Sequence, residues 1–219
     1  MSIVVPATFN DVTAEWVDAA LQEGGMLDAQ IASAVVKPMH ASKGLIGDLA
    51  TIHVTYSAGE GPNAFVLKLP AANPGSRRIG DMLQAYAREV AFYRDVAPHA
   101  VDTRLARCYY SGADQQAGRW AILLEAIDAD EFDFFDGATM AQANAAVDAL
   151  ADFHRLWWNA EVPFDWMPGF DATGVGGLQP LWLHNLPVFV DRYSKVLPGP
   201  TADWALAFAP QLSTWSVQA

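Results

Sequence analysis

Two runs of strand-forming residues, Thr51-Ile52-His53-Val54-Thr55-Tyr56 and Ala64-Phe65-Val66-Leu67-Lys68-Leu69, flank a short break at 57–63 that carries Gly59 and Gly61. Apolar residues at every second position mark a strand with one buried face, and a glycine-bearing break joins two such strands as a hairpin. A third run, Ile31 to Lys37, precedes them and is rich in β-branched residues. It is separated from the pair by the loop Ser42-Lys43-Gly44-Leu45-Ile46-Gly47-Asp48. The first third of the chain thus reads strand, glycine loop, strand, turn, strand, the pattern of an antiparallel meander.

Helical periodicity frames this core. Trp16, Val17, Ala20 and Leu21 share one face of a helix over 13–23, with Thr13 to cap it and Gly24-Gly25 to stop it. A longer stripe, Ile79, Met82, Leu83, Tyr86, Val90, Tyr93 and Ala97, predicts one helix over 79–97. Two strands follow, at 105–110 and 120–124. Thr139 and Gln142 then form a capping box that opens a helix running to about Trp158. Its apolar side carries Met140, Ala143, Val147, Leu150, His154 and Trp157. Weaker helices are predicted at 180–196 and 201–209. The fold class expected is α+β.

Composition narrows the function. Of 219 residues, 52% are hydrophobic and 17% charged, too apolar for a disordered chain. A net charge of −12 disfavours nucleic acid and anionic membrane surfaces as partners, since both need a basic face. The single cysteine, Cys108, excludes an internal disulfide and a cysteine-based zinc cluster. The N-terminus lacks the basic region of a signal peptide, and no window reaches the roughly 18 apolar residues of a spanning helix. A cytoplasmic protein is expected.

Lys68 lies inside an apolar strand. An ammonium there must either reach water along its stem or find a partner. Glu89 stands three residues after Tyr86 and four before Tyr93, along the apolar stripe of the next helix. Read alone it is an ordinary rim carboxylate. Together, a lysine on the third strand and a glutamate on the following helix match the spacing of the ion pair that holds nucleotide phosphates in kinases. Gly44 and Gly47 lie in the loop one strand pair upstream, where backbone N–H groups can approach phosphate oxygens, although a plain hairpin also uses glycine.

The ordered set formed by the glycine loop, Phe65-Val66-Leu67-Lys68-Leu69-Pro70, Glu89-Val90-Ala91-Phe92-Tyr93-Arg94, Cys108-Tyr109-Tyr110, Leu123-Leu124-Glu125 and Leu150-Ala151-Asp152-Phe153-His154 resembles the aminoglycoside phosphotransferase and ecdysteroid-kinase-like (CHK kinase-like) family. The likeness covers about residues 10 to 160. It implies a protein-kinase-like N-lobe over 1–127, with about five antiparallel strands and an αC-type helix. A connector and partial helical C-lobe would follow over 128–219. It further implies that Gly44 to Asp48 cover ATP phosphates, that Lys68 contacts them, and that Glu89 orients Lys68. The backbone from Glu125 to Ile127 would hydrogen-bond adenine. Leu67, Ile122 and Leu124 could wall the nucleotide or simply belong to the core, and His154 is expected to pack and hydrogen-bond.

The resemblance also implies ATP, Mg²⁺ and a small-molecule hydroxyl acceptor. Phosphoryl transfer needs a carboxylate near that acceptor, and the family takes it from a His-Gly-Asp loop. None of the five histidines begins a His-x-Asp run, and no Asp-Phe-Gly occurs. No catalytic residue is therefore assigned, and the expectation is a nucleotide-binding kinase-like fragment that ends before its catalytic loop. A non-catalytic kinase-like binding module and an aromatic-rich partner-binding domain are the alternatives. Exposed apolar surface and self-association are expected of such a fragment. The acidic run Asp128, Asp130, Glu131, Asp133 and Asp136 lacks the glycine and closing glutamate of a calcium loop, and reads as a solvated connector.

Overall fold

A computed structural model describes residues 3–25, 28–39, 46–100, 102–128, 137–160, 164–167 and 179–212. Among these, five strands form one antiparallel sheet: β1 (Gln30–Pro38), β2 (Gly47–Ala58), β3 (Ala64–Pro70), β4 (Cys108–Asp114) and β5 (Arg119–Glu125), in the order β1-β2-β3-β5-β4. With six α-helices among the described residues, the class is α+β. β2 runs past its alternating stretch at both ends. It pairs with β1 as far as Gln30↔Ala58 and with β3 from Gly47↔Pro70. β4 starts three residues later than its apolar pattern predicts. Its ladder with β5 extends instead toward the turn that Gly118 closes at φ 63°, with Asp114 opposite Arg119.

Period-two alternation divides the sheet into two unlike faces. Phe65, Leu67 and Leu69 point to the side covered by α1 (Ala14–Glu23), where Trp16, Val17, Ala20 and Leu21 are buried. Ile52, Val54, Ala121 and Leu123 complete this core. A bulge between Cys108 and Tyr110 breaks the alternation of β4, so the consecutive Tyr109 and Tyr110 both join it. Thr13 caps α1 by accepting from the Trp16 N–H, and the Trp16 indole donates to the Val4 carbonyl at 3.0 Å. Gly24 ends the helix hard against β4. A Cβ there would lie 1.9 Å from the Tyr109 carbonyl oxygen.

The opposite face meets α2 (Pro74–Met82) and α3 (Ala85–Ala91). The single helix predicted over 79–97 is thus two helices. The first begins earlier because the Asn73 side chain accepts from the Gly75 and Ser76 N–H groups and Pro74 suits the first turn. Gln84, left-handed at φ 52°, separates them. After α3 the chain continues as a π-helical turn, Phe92–Val96, and a 3₁₀ turn, Ala97–His99.

α4 (Met140–Trp157) opens on the capping box expected of Thr139 and Gln142. Phe153 and Trp157 meet Phe92 and His99 at ring distances of 6.1 and 6.4 Å. The rest of its apolar side is not covered: Met140, Val147 and Leu150 are exposed. His154 is also exposed, its ring 6.5 Å from Phe153, because it turns away from the contact that Phe153 and Trp157 make.

The chain divides into two compact units, Met1–Val162 and Pro163–Ala219. Within the second, α5 (Gln179–Arg192) and α6 (Gly199–Phe208) pack together, the Gln179 amide donates at 2.9 Å to the Pro210 carbonyl in the 3₁₀ turn Ala209–Gln211 after α6, and Leu186 and Ala209 are buried. A cavity of about 300 Å³ lies along α5 between Leu181, Trp182, Asn185, Leu186 and Phe189. Among the described residues no helix is long and apolar enough to cross a membrane.

Candidate functional site

The site is built on the sheet face opposite α1. Lys68 sits on β3 directly across from Leu49 of β2 and Ile122 of β5. Period two places Val66 and Leu124, themselves paired, on the same face. From α3, Glu89 reaches the lysine: Nζ lies 2.6 Å from Oε1, a charge-assisted hydrogen bond as well as an ion pair. Both side chains remain partly open, at 28% and 29% exposure. Lys68 therefore does not simply run to water, and Glu89 is more than a rim carboxylate.

Packing fixes where that glutamate stands. The Tyr86 hydroxyl donates to the Ile46 carbonyl, and the tyrosine ring lies against Gly80, where a Cβ would come within 2.4 Å of it. The glycine at 80 thus lets α2 and α3 fold back closely enough for Tyr86 to reach the start of β2. Ile46 is held again by the Ala71 N–H, and the Asp48 carboxylate accepts from the Ala72 N–H at 2.7 Å. The end of the glycine loop, the end of β3 and α3 are therefore locked together around Lys68.

Gly47 is buried, with its α-carbon beside the lysine stem. A Cβ there would stand 3.0 Å from Lys68 Cε. Tyr93 and Cys108 are both partly buried. Burial pushes the Tyr93 hydroxyl up to about 12, with the Glu89 carboxylate adding to the shift, and burial pushes the Cys108 thiol up to about 12.

A narrow cleft of about 10 Å³, room for about one water, runs between Lys68, Glu89, Tyr86, Trp120 and Ile122. Tyr86 and Trp120 separate it from a larger cavity of about 370 Å³.

The other residues singled out from sequence distribute unevenly. Gly44 lies outside the described residues, as do Asp130, Glu131, Asp133 and Asp136. Glu125 ends β5, where its N–H donates to the Arg107 carbonyl at 2.9 Å and its carboxylate accepts from the Arg107 N–H. Ile127 follows, 61% exposed. Leu67 is fully buried on the α1 side, so period two removes it from the Lys68 face. Ile122 and Leu124 do share that face. Three neighbours were not assigned a site role: Val66, two residues before the lysine; Trp120, two before Ile122; and Tyr86, three before Glu89. The first two carried a signal in strand alternation itself.

Among the described residues no three His, Cys, Asp or Glu side chains gather to hold a metal ion. No family model matches the chain, and no curated protein or solved structure matches it.

Proposed function

We propose that the first unit binds a nucleoside triphosphate, as the nucleotide-binding part of an ATP-dependent, kinase-like small-molecule phosphotransferase. The observation that carries this reading is the Lys68–Glu89 pair, 2.6 Å, on a strand and the helix packed over it. A lysine held by one carboxylate and still partly open can offer its remaining N–H donors to phosphate oxygens. Gly47 keeps the backbone low beside it, and Val66 and Leu124 supply an apolar wall on the same face. The backbone beyond Glu125, ending at the exposed Ile127, is the segment suited to the base. In the cytoplasm such a lobe would meet ATP as its Mg²⁺ complex. The described residues offer no metal cluster, and no step is assigned to the ion.

The reading is one of binding. The sequence holds neither a His-x-Asp run nor an Asp-Phe-Gly, so no group here is assigned to activate the acceptor hydroxyl. That same observation favours a second reading, a non-catalytic kinase-like binding module, which shares the Lys68 site. The exposed Met140, Val147 and Leu150 of α4 support self-association in solution. Sedimentation velocity across a concentration series tests it, and a monomer throughout would refute it.

Titration with Mg-ATP, followed by tryptophan fluorescence, tests the nucleotide reading. Saturable binding is expected. Lys68→Ala should weaken it by about tenfold or more, the worth of a hydrogen bond to a charged group. Silence from the wild-type chain, or equal affinity in the variant, rejects the reading.

A further inference from the structure

The larger cavity beside the Lys68 cleft has its own chemistry. It lies between the α2–α3 corner and the turn of the β4–β5 hairpin, and is lined by Asp81, Gln84, Tyr86, Ala87, Gln115 and Trp120. Its volume, about 370 Å³, suits a small organic molecule. Two bonds hold its sides in place without a ligand. Arg77 of α2 donates to the Gly118 carbonyl of the hairpin turn at 2.6 Å, and the Tyr86 hydroxyl is anchored on Ile46. The cavity is therefore preformed, which lowers the cost of binding.

Charge selects the ligand. Asp81 is the one ionised side chain in the lining, and it forms no ion pair among the described residues. Of the two arginines on α2, Arg77 already has a carbonyl acceptor, and neither Arg77 nor Arg78 forms an ion pair with Asp81. Trp120 offers a partly exposed aromatic ring, the buried Tyr86 completes the wall, and Gln84 and Gln115 offer amides at the rim. Gln84 stands there in the left-handed conformation, a strained backbone that presents its side chain at the corner. A carboxylate beside aromatic rings is the combination that recognises an organic cation, by ion pairing at one end and cation–π contact along the body. The net charge of −12 draws cations toward the molecule.

The geometry points to a binding site for a small organic cation, an aryl or alkyl amidinium or ammonium, in this corner cavity. The site stands apart from the nucleotide reading, since none of its contacts needs a phosphate. Its occupant would rest on Tyr86 and Trp120, the wall shared with the Lys68 cleft.

Benzamidinium is a suitable probe, with benzamide as its neutral counterpart of the same shape. Both are titrated into the full chain while the side-chain N–H resonances of Trp120, Gln84 and Gln115 are followed by NMR. Benzamidinium should shift all three saturably. Benzamide and the exposed-site variant Asp81→Asn should each bind about fivefold more weakly, the scale of a solvent-accessible ion pair. Ala87→Leu, which fills the cavity, should abolish the shifts. Absence of saturable shifts, equal binding of the two probes, or indifference to Asp81→Asn would overturn the proposal. Asp81→Asn decides the matter even if Ala87→Leu fails to fold. The measurement uses no nucleotide, so failure of the Mg-ATP titration leaves its outcome intact.

Discussion

The two faces of the sheet are made from the same strands yet are organised differently. On the α1 side, Phe65, Leu67, Ile52 and Leu123 are fully buried beneath Val17 and Leu21. On the α3 side, one residue further along β3, Lys68 takes a partner from a helix and keeps part of its side chain open. Hydrophobic burial holds the first face, at about 1.5–3 kcal/mol for each large side chain. The second face also buries Ile122, Tyr86, Val90 and Ala91, and adds directed contacts: Tyr86 on Ile46, Asp48 on Ala72 and Glu89 on Lys68. The charged pair is thereby confined to the α3 side, where the directed contacts let the face carry a charge.

The comparison can be broken most directly at Phe65. Phe65→Ala should lower unfolding stability by about 3–5 kcal/mol, measured by urea denaturation, because the cavity it leaves is in the dry core. A loss below about 1 kcal/mol would mean the α1 face is not the main source of stability.

Gly24→Ala tests the same face through its backbone. The added Cβ meets the Tyr109 carbonyl and must push α1 away from β4, at about 1–3 kcal/mol. Unchanged stability would show that this close approach is relaxed in solution.

On the opposite face the expected stability effect is smaller. Lys68→Ala removes a pair that is nearly a third exposed, and should change unfolding stability by about 1 kcal/mol or less while weakening Mg-ATP. A loss matching that of Phe65→Ala would assign the pair a structural role. Gly47→Ala should displace only the flexible lysine stem, with still less effect on stability.

The subtlest difference lies in pH. The Cys108 thiol is raised by burial from 9.0 to about 12, and Tyr93 and Tyr110 are raised from 10.0 to about 12. Each folded value exceeds the unfolded one, so the contribution is complete below the unfolded value and is lost as pH climbs through the folded one. Between pH 9 and 10 the cysteine should dominate the decline among these three, and Cys108→Ala should flatten it in urea denaturation at stepped pH. An equal slope in the variant would place the titrating group elsewhere.

Much of the fold was legible because it is local. Strand alternation, the Thr13 and Thr139 caps and the stop at Gly24 are written in neighbouring residues. The break at Gln84 was not legible, since the apolar stripe runs through it. Only the demand that Tyr86 pack on Gly80 and reach Ile46 separates α2 from α3. The burial of both Tyr109 and Tyr110 was likewise hidden, because a bulge overrides period two. In the site, Lys68 and Glu89 were recognisable as types at a spacing. Strand alternation placed Trp120 on the face of Ile122, but nothing local marks it or Tyr86 as the wall between two cavities.

By itself the sequence determined the residues capable of chemistry: one lysine in an apolar strand, one glutamate on an apolar stripe, and no His-x-Asp run to accompany them. Periodicity is a property of the chain, so it also determined which residues share a face within each strand. Tertiary structure decided that Lys68 and Glu89 stand 2.6 Å apart and that Leu67 belongs to the other side. It also decided that Asp81 borders a cavity. Those facts depend on how α3 is turned and how closely α2 folds back upon it. Contacts between residues distant in sequence set that geometry, and no local pattern encodes it.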